Sequence, residues 1–423
     1  MPRSPEMPMP PLEEMPPEKK QVSPAMEYGE LNPEEQKKLE IINEQFDHPK
    51  FVEIEAPGVE GKKLKVEYVV LDARSQDDLT HAKEMNDRTV IHIPGFGSSY
   101  RANGHYEKLL ALKEKKRVIV ISQPSTGHSD DAPDEWRKWS KKDRSFDPIS
   151  EVISNAIDAI RKQESENGEP MTTSELSVSS SSLGSMYAID LAIKHPEKVK
   201  DLVLMHPAGV NEELPTSLGR RWLRETVMGK GGVKAVAKNM LPKKWIPDWL
   251  ISKDTGIKDL DPDYVTELQS AYEEMFGKPL QQAYEEAGGT GTFDLNEAER
   301  QDQNFRRAVV ESIIADGTIA RKRKEGAKWR AWEAFTIAKG GILKKLPQVK
   351  ANTYVIYGSK DNLFPVSQLE RVKNALIKAK TVMTDIFATH HDDIYQDARK
   401  YTASVGGFFD KMREKEKQVT EKK

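Results

Sequence analysis

The chain has 423 residues, enough for a large core or for two to three domains, and its formal net charge of −3 excludes a global basic field for nucleic acid. It contains no cysteine, which excludes disulfides, thiol nucleophiles and Cys-based metal sites and fits a reducing compartment. No apolar run reaches the roughly 18 residues a transmembrane helix needs, and the first residues lack the apolar core of a signal peptide, so a cytoplasmic protein is expected.

Residues 1–46 are rich in Pro, Met, Glu and Lys and are expected to stay disordered, with a short helix near Pro33 to Gln45 that can dock on the body. From Phe51 the pattern turns to strand. FVEIEA and KLKVEYVVLD flank Pro57, Gly58 and Gly61 as the arms of a hairpin do. The apolar runs from Arg88 to Ile93 and from Arg117 to Ser122 each end in a loop of small residues. A helix is predicted around Tyr106 to Lys113 between them, and a second from Ile149 to Gln163, where Ile149, Val152, Ile153, Ala156, Ile157 and Ile160 keep helical spacing. A strand from Glu175 to Ser179, a helix from Leu183 to Lys194 and a strand from Asp201 to Met205 follow. Apolar strands alternating with helices predict a mostly parallel central sheet with helices on both faces. Residues 211–345 are helical in pattern. Strands resume at Thr353 to Tyr357 and Thr381 to Phe387, before a last helix that enters a charged tail. The predicted division is a tail (1–46), a core in two parts (47–210 and 346–412), an inserted helical cap (211–345) and a charged tail (413–423).

The serine run Ser179 to Ser182 stands where a strand turns sharply into a helix. A nucleophile on such a bend needs small residues two before and two after it, because the two backbones nearly touch there. Ser182 meets this condition with Ser180 and Gly184. Ser181 would put Leu183 in the tight slot, and Ser180 would put Val178 there. A serine nucleophile needs a base, and the base needs an orienting acid. Asp361 follows the Thr353 to Tyr357 strand, and His390 and His391 follow the last one, so the order is Ser, Asp, His. Gly95, Phe96 and Gly97 follow the Arg88 to Ile93 strand, where a loop can offer a backbone N–H to an oxyanion. Leu183, next to the nucleophile, offers the second.

Over residues 50–210 and 346–412 the chain resembles the α/β-hydrolase superfamily with a helical cap. Pro94 to Gly97 is similar to that family's His-Gly-Phe-Gly loop, and Ser122 to Asp130 to its D-x-P-G-x-G-x-S-D loop. Gly358 to Pro365 is similar to its acid loop. The resemblance implies Ser182 as nucleophile, Asp361 as acid, and a histidine of the 390–391 pair as base. His391 is preferred because Thr389 and His390 then fill the small-residue and Gly places before it; His390 is the alternative. The resemblance also implies Phe96 and Leu183 as oxyanion donors, with neither metal nor organic cofactor. The implied function is hydrolysis of a small-molecule ester, thioester or amide through an acyl-enzyme. Acyl transfer or carbon–carbon bond hydrolysis by the same triad, and a non-catalytic ligand-binding or interaction scaffold, are the alternatives. A homo-oligomer is left open.

Other residues receive plainer readings. His206, after a strand, is assigned a structural role, and His128 a place on the pocket rim. Arg321 to Lys324 reads as a solvated helix face. Met240 to Ile251 reads as packing between cap helices or an apolar wall for an acyl chain. Gly229 to Gly232 lacks the strand and spacing of a phosphate loop.

Overall fold

The computed structural model describes residues 31–102, 104–136, 146–169, 172–210, 281–282, 329, 333, 336–337, 341–359, 361, 364, 366–387 and 398–421. In chain order the elements are α1 (Pro33–Asp47), β1 (Lys50–Glu55), β2 (Lys63–Leu71), α2 (Gln76–Glu84), β3 (Thr89–Ile93), α3 (His105–Leu112), β4 (Val118–Ile121), α4 (Asp147–Asn167), β5 (Leu176–Ser181), α5 (Leu183–Lys194) and β6 (Val199–Met205). After the insertion come β7 (Asn352–Gly358), α6 (Leu369–Ala375), β8 (Val382–Phe387) and α7 (Ala398–Glu421).

Eight strands form one sheet in the order β1-β2-β4-β3-β5-β6-β7-β8. The β1–β2 and β2–β4 pairs are antiparallel, and every pair from β4 onward through β3 to β8 is parallel. Strands pleat with period two, so each feeds both faces. Leu202 and Leu204 of β6 join a core with α4, α5 and α6, while Val203 and Met205 join a second core with α1, α3 and α7. Burial on both faces is why these strands read as continuous apolar runs.

β5 is the exception, because four of its six residues are serine. It is buried along its whole length, and its hydroxyls find partners in neighbouring elements. Ser177 Oγ donates to Asp201 Oδ2 at 2.9 Å, and Ser180 Oγ to the Val203 carbonyl at 2.9 Å. Ser179 Oγ lies 2.8 Å from the Tyr106 hydroxyl. A polar central strand is tolerable only when such groups are paired.

α1 begins with a capping box between Asn32 and Glu35, with Pro33 in its first turn, and it buries Leu39 and Ile42 against the second core. Its Phe46 stacks edge-on to Tyr100 at 5.1 Å. At the other end, α7 runs to Glu421 and sinks Arg413 against the buried Asp201. The insertion between β6 and β7 leaves and rejoins the body at one place, where the Ile342 N–H donates to the Gly209 carbonyl at 3.1 Å. Of this insertion, Trp329 stacks on Trp136, and the buried Glu333 accepts from Trp329 Nε1 at 2.8 Å and from the Tyr187 hydroxyl. Most of the predicted cap lies outside the described residues, as do Met240 to Ile251, Gly229 to Gly232 and Arg321 to Lys324. Among the described residues, no helix is long and apolar enough to cross a membrane.

Candidate active site

β5 ends at Ser181 and α5 starts at Leu183, so Ser182 alone makes the bend. Its backbone sits at φ 49° and ψ −120°. A non-glycine residue there costs on the order of 1–3 kcal/mol and persists only where its surroundings hold it. Three hydrogen bonds do so. The Ser182 N–H donates to the Met205 carbonyl at 2.9 Å, and its carbonyl accepts from Ser185 N and Ala208 N, each at 3.1 Å. A Cβ on Gly184 would stand 2.2 Å from the Ile93 carbonyl oxygen and 2.5 Å from that of Pro94, so only glycine fits two residues after the bend. Two residues before it, Ser180 is small enough to lie fully buried, its hydroxyl spent on the Val203 carbonyl. Of the four serines from Ser179 to Ser182, Ser182 is half-buried and the others are buried.

The loop after β3 closes on this bend. A Cβ on Gly95 would stand 3.3 Å from the Ser182 Cβ. The loop turns tightly, with Gly97 at φ 65° and the Ser98 N–H donating to the Gly95 carbonyl at 3.2 Å. Gln123 steadies it by donating from Nε2 to the Pro94 carbonyl at 2.7 Å. Phe96 therefore lies in a loop pressed on the elbow. Leu183 is the first residue of α5, where the helix itself cannot satisfy the N–H and where the helix dipole favours negative charge.

Asp361 lies just beyond β7 and is 4% exposed, which makes its partners decisive. Its Oδ1 accepts from Phe364 N at 2.9 Å. Its Oδ2 lies 2.9 Å from Nδ1 of His206. His206 follows β6, the strand between β5 and β7, so sheet order alone brings Ser182, His206 and Asp361 to one edge. The structural role read for His206 is thus a contact with the predicted acid, which sequence spacing did not reveal. His128, the predicted rim residue, is half-exposed and lies 3.0 Å from the buried Glu67 carboxylate. His390 and His391 lie outside the described residues. The strand before them, β8, pairs with β7 so that Phe387 stands opposite Gly358.

No family model matches this chain, and no curated protein matches it in sequence. Solved structures do. A thermophilic esterase from Thermogutta terrifontis superposes with a TM-score of 0.50 at 13% identity, over 86% of this chain and 99% of that one. The chain has the α/β-hydrolase fold. An enol-lactonase from Burkholderia xenovorans matches at 0.49 and 13% identity, over 85% of this chain and 99% of that one. A meta-cleavage product hydrolase from Pseudomonas fluorescens matches at 0.44 and 16%. In this α/β-hydrolase-fold chain, Ser182 stands at the strand-to-helix bend after β5 and Asp361 in the loop after β7.

Proposed function

We propose that the chain is a serine hydrolase that cleaves an ester, thioester or amide through an acyl-enzyme on Ser182. The observation that carries this reading is the strained, half-buried Ser182 between Gly95 and Gly184, with the Asp361 carboxylate at the same sheet edge. In this reading His391, following β8 beside β7, takes the proton from Ser182 Oγ as the oxygen attacks the carbonyl carbon. Asp361 holds the imidazole tautomer and balances the imidazolium. The Phe96 and Leu183 amides receive the oxyanion, each such donor being worth about 10²–10³ in rate. The imidazolium returns the proton to the leaving group, and a water activated by the same ring releases the acyl group.

The insertion 211–345 belongs to this reading as the cap that lines the acyl pocket. It enters and leaves at Gly209 and Ile342, three residues beyond His206 and just before β7. Whether the acyl group passes to water or to another acceptor is read by product analysis with a panel of acyl donors and acceptors. Incubation with a fluorophosphonate probe tests the nucleophile. Labelling of the wild type that disappears in Ser182→Ala is expected; an unlabelled wild type, or equal labelling of the variant, defeats the reading.

A further inference from the structure

His206 is the first residue past β6 and adopts φ 48°, an uncommon conformation for a residue with a side chain, though less so for histidine than for most. Its backbone belongs to the nucleophile's own support. The Met205 carbonyl accepts from Ser182 N, the Ala208 N–H donates to the Ser182 carbonyl, and the His206 N–H donates to Ile356 of β7 at 2.8 Å. The bend from Met205 to Ala208 therefore joins the nucleophile's strand to the acid's strand. The His206 ring is 1% exposed and lies on Asp361.

Both ring nitrogens have buried partners. An ionised carboxylate can only accept, so Nδ1 of His206 carries the proton facing Asp361 Oδ2. Nε2, on the other side of the ring, lies 2.5 Å from the Tyr401 hydroxyl. Tyr401 lies on α7 and is fully buried, its ring packed edge-on against Phe387 at 4.9 Å. A hydrogen-bonded chain thus runs from Tyr401 through both ring nitrogens of His206 to Asp361. With Phe364 N on Oδ1, each carboxylate oxygen has a donor of its own, which fixes the plane of the group.

We propose that His206 is a positioning residue for Asp361: its imidazole, itself oriented by Tyr401, holds the carboxylate in the plane from which it aligns the catalytic base. This rests on the serine-hydrolase reading above. It adds to the Ser–His–Asp set a second, buried imidazole that never touches substrate. A buried group held by ionic hydrogen bonds loses more by misalignment than an exposed one, because water cannot replace the lost partner.

The test uses the full chain and the rate at which a fluorophosphonate probe labels Ser182, with melting temperature measured in parallel. In His206→Asn the side-chain amide N–H stands close to the place of Nδ1 and can still donate to Asp361, whereas His206→Leu keeps bulk and loses the donor. His206→Leu is expected to label about 10–100-fold more slowly, as removal of a charge-assisted second-layer partner does, with His206→Asn within about threefold of wild type. Tyr401→Phe keeps the ring against Phe387 and is expected to slow labelling about threefold; it carries the test if His206→Leu does not fold. A wild-type rate in His206→Leu, or in Tyr401→Phe where that variant stands alone, overturns the proposal. So does a loss in His206→Asn as deep as in His206→Leu. An unlabelled wild type defeats the serine-nucleophile reading and this proposal with it, whereas a labelled wild type with an indifferent His206 defeats this proposal alone.

Discussion

One serine–histidine–carboxylate grouping is built around Ser179 inside β5, and Ser182, three residues on and just past the strand, stands in a setting that differs from it in almost everything. Ser179, inside the strand, has its hydroxyl 3.1 Å from Nδ1 of His92, whose Nε2 lies 3.3 Å from Glu107 Oε1 without hydrogen-bond alignment. All three are buried, and burial pushes His92 down to about 3 and Glu107 up to about 8, favouring the neutral form of each. Ser182, just past the strand, stands on a strained bend against an amide-bearing loop, near a carboxylate held by two donors. Residue types alone do not make a reactive site. A mid-strand position directs its side chain into one of the two cores, whereas the end of the strand lets the backbone turn and lift a hydroxyl to the sheet edge.

Removing each hydroxyl tests the contrast most sharply. Ser182→Ala is expected to abolish probe labelling and to lower ester turnover by about 10⁴-fold or more, while Ser179→Ala keeps labelling within a few-fold. Gel fluorescence and p-nitrophenyl ester assays read both, and retained activity in Ser182→Ala would erase the distinction.

Next in size is the bend itself. Gly184→Ala drives a methyl into the Ile93 and Pro94 carbonyls, backbone atoms that cannot swing aside. A loss of about 3 kcal/mol or more in urea unfolding is expected. An unchanged midpoint would mean that strand and helix do not approach as closely as described.

The buried grouping has its own signature in pH. Folded Glu107 keeps its proton up to about pH 8, whereas the unfolded carboxyl releases it near 4.5, so its contribution to stability falls as pH rises across that span. His92 acts oppositely: between about 3 and 6.5 the unfolded ring binds a proton that the folded ring refuses, and stability rises with pH. The two slopes offset each other from 4.5 to 6.5, leaving a decline above 6.5. Glu107→Gln should remove about 2 kcal/mol of decline between pH 6.5 and 8. Melting temperatures across that range check it, and equal slopes in wild type and variant would show Glu107 already ionised.

Smallest is the effect expected at Ser180, between the two serines. Ser180→Ala keeps the slot narrow and removes the hydroxyl's contacts with the Val203 carbonyl and Ser185 Oγ. It should cost about 1 kcal/mol in unfolding and leave labelling within twofold. A large loss of labelling would mean that the slot demands the hydroxyl and not merely a small side chain.

Much of this architecture is written locally in the chain. Buried parallel strands must be apolar on both faces, so VIHI and VIVI announce themselves, and α4 shows its isoleucine stripe. The elbow is equally legible, because the steric demand for a small side chain at Ser180 and Gly184 acts within two residues of Ser182. The short helices α2 and α6 are too brief to show a periodic stripe, and α2 is set instead by the Ser75–Asp78 capping box. What lies beyond local reading is partnership. His206 and Asp361 are 155 positions apart, and nothing in either stretch names the other; β6 and β7 become neighbours only when the sheet assembles. The burial of a serine-rich strand likewise depends on Asp201, Val203, Tyr106 and His92, which come from other strands and a helix. Steric fit and periodicity act over a few residues and leave a trace in their order. Hydrogen bonds between distant segments depend on which strands end up side by side, and that is settled by how the whole chain packs.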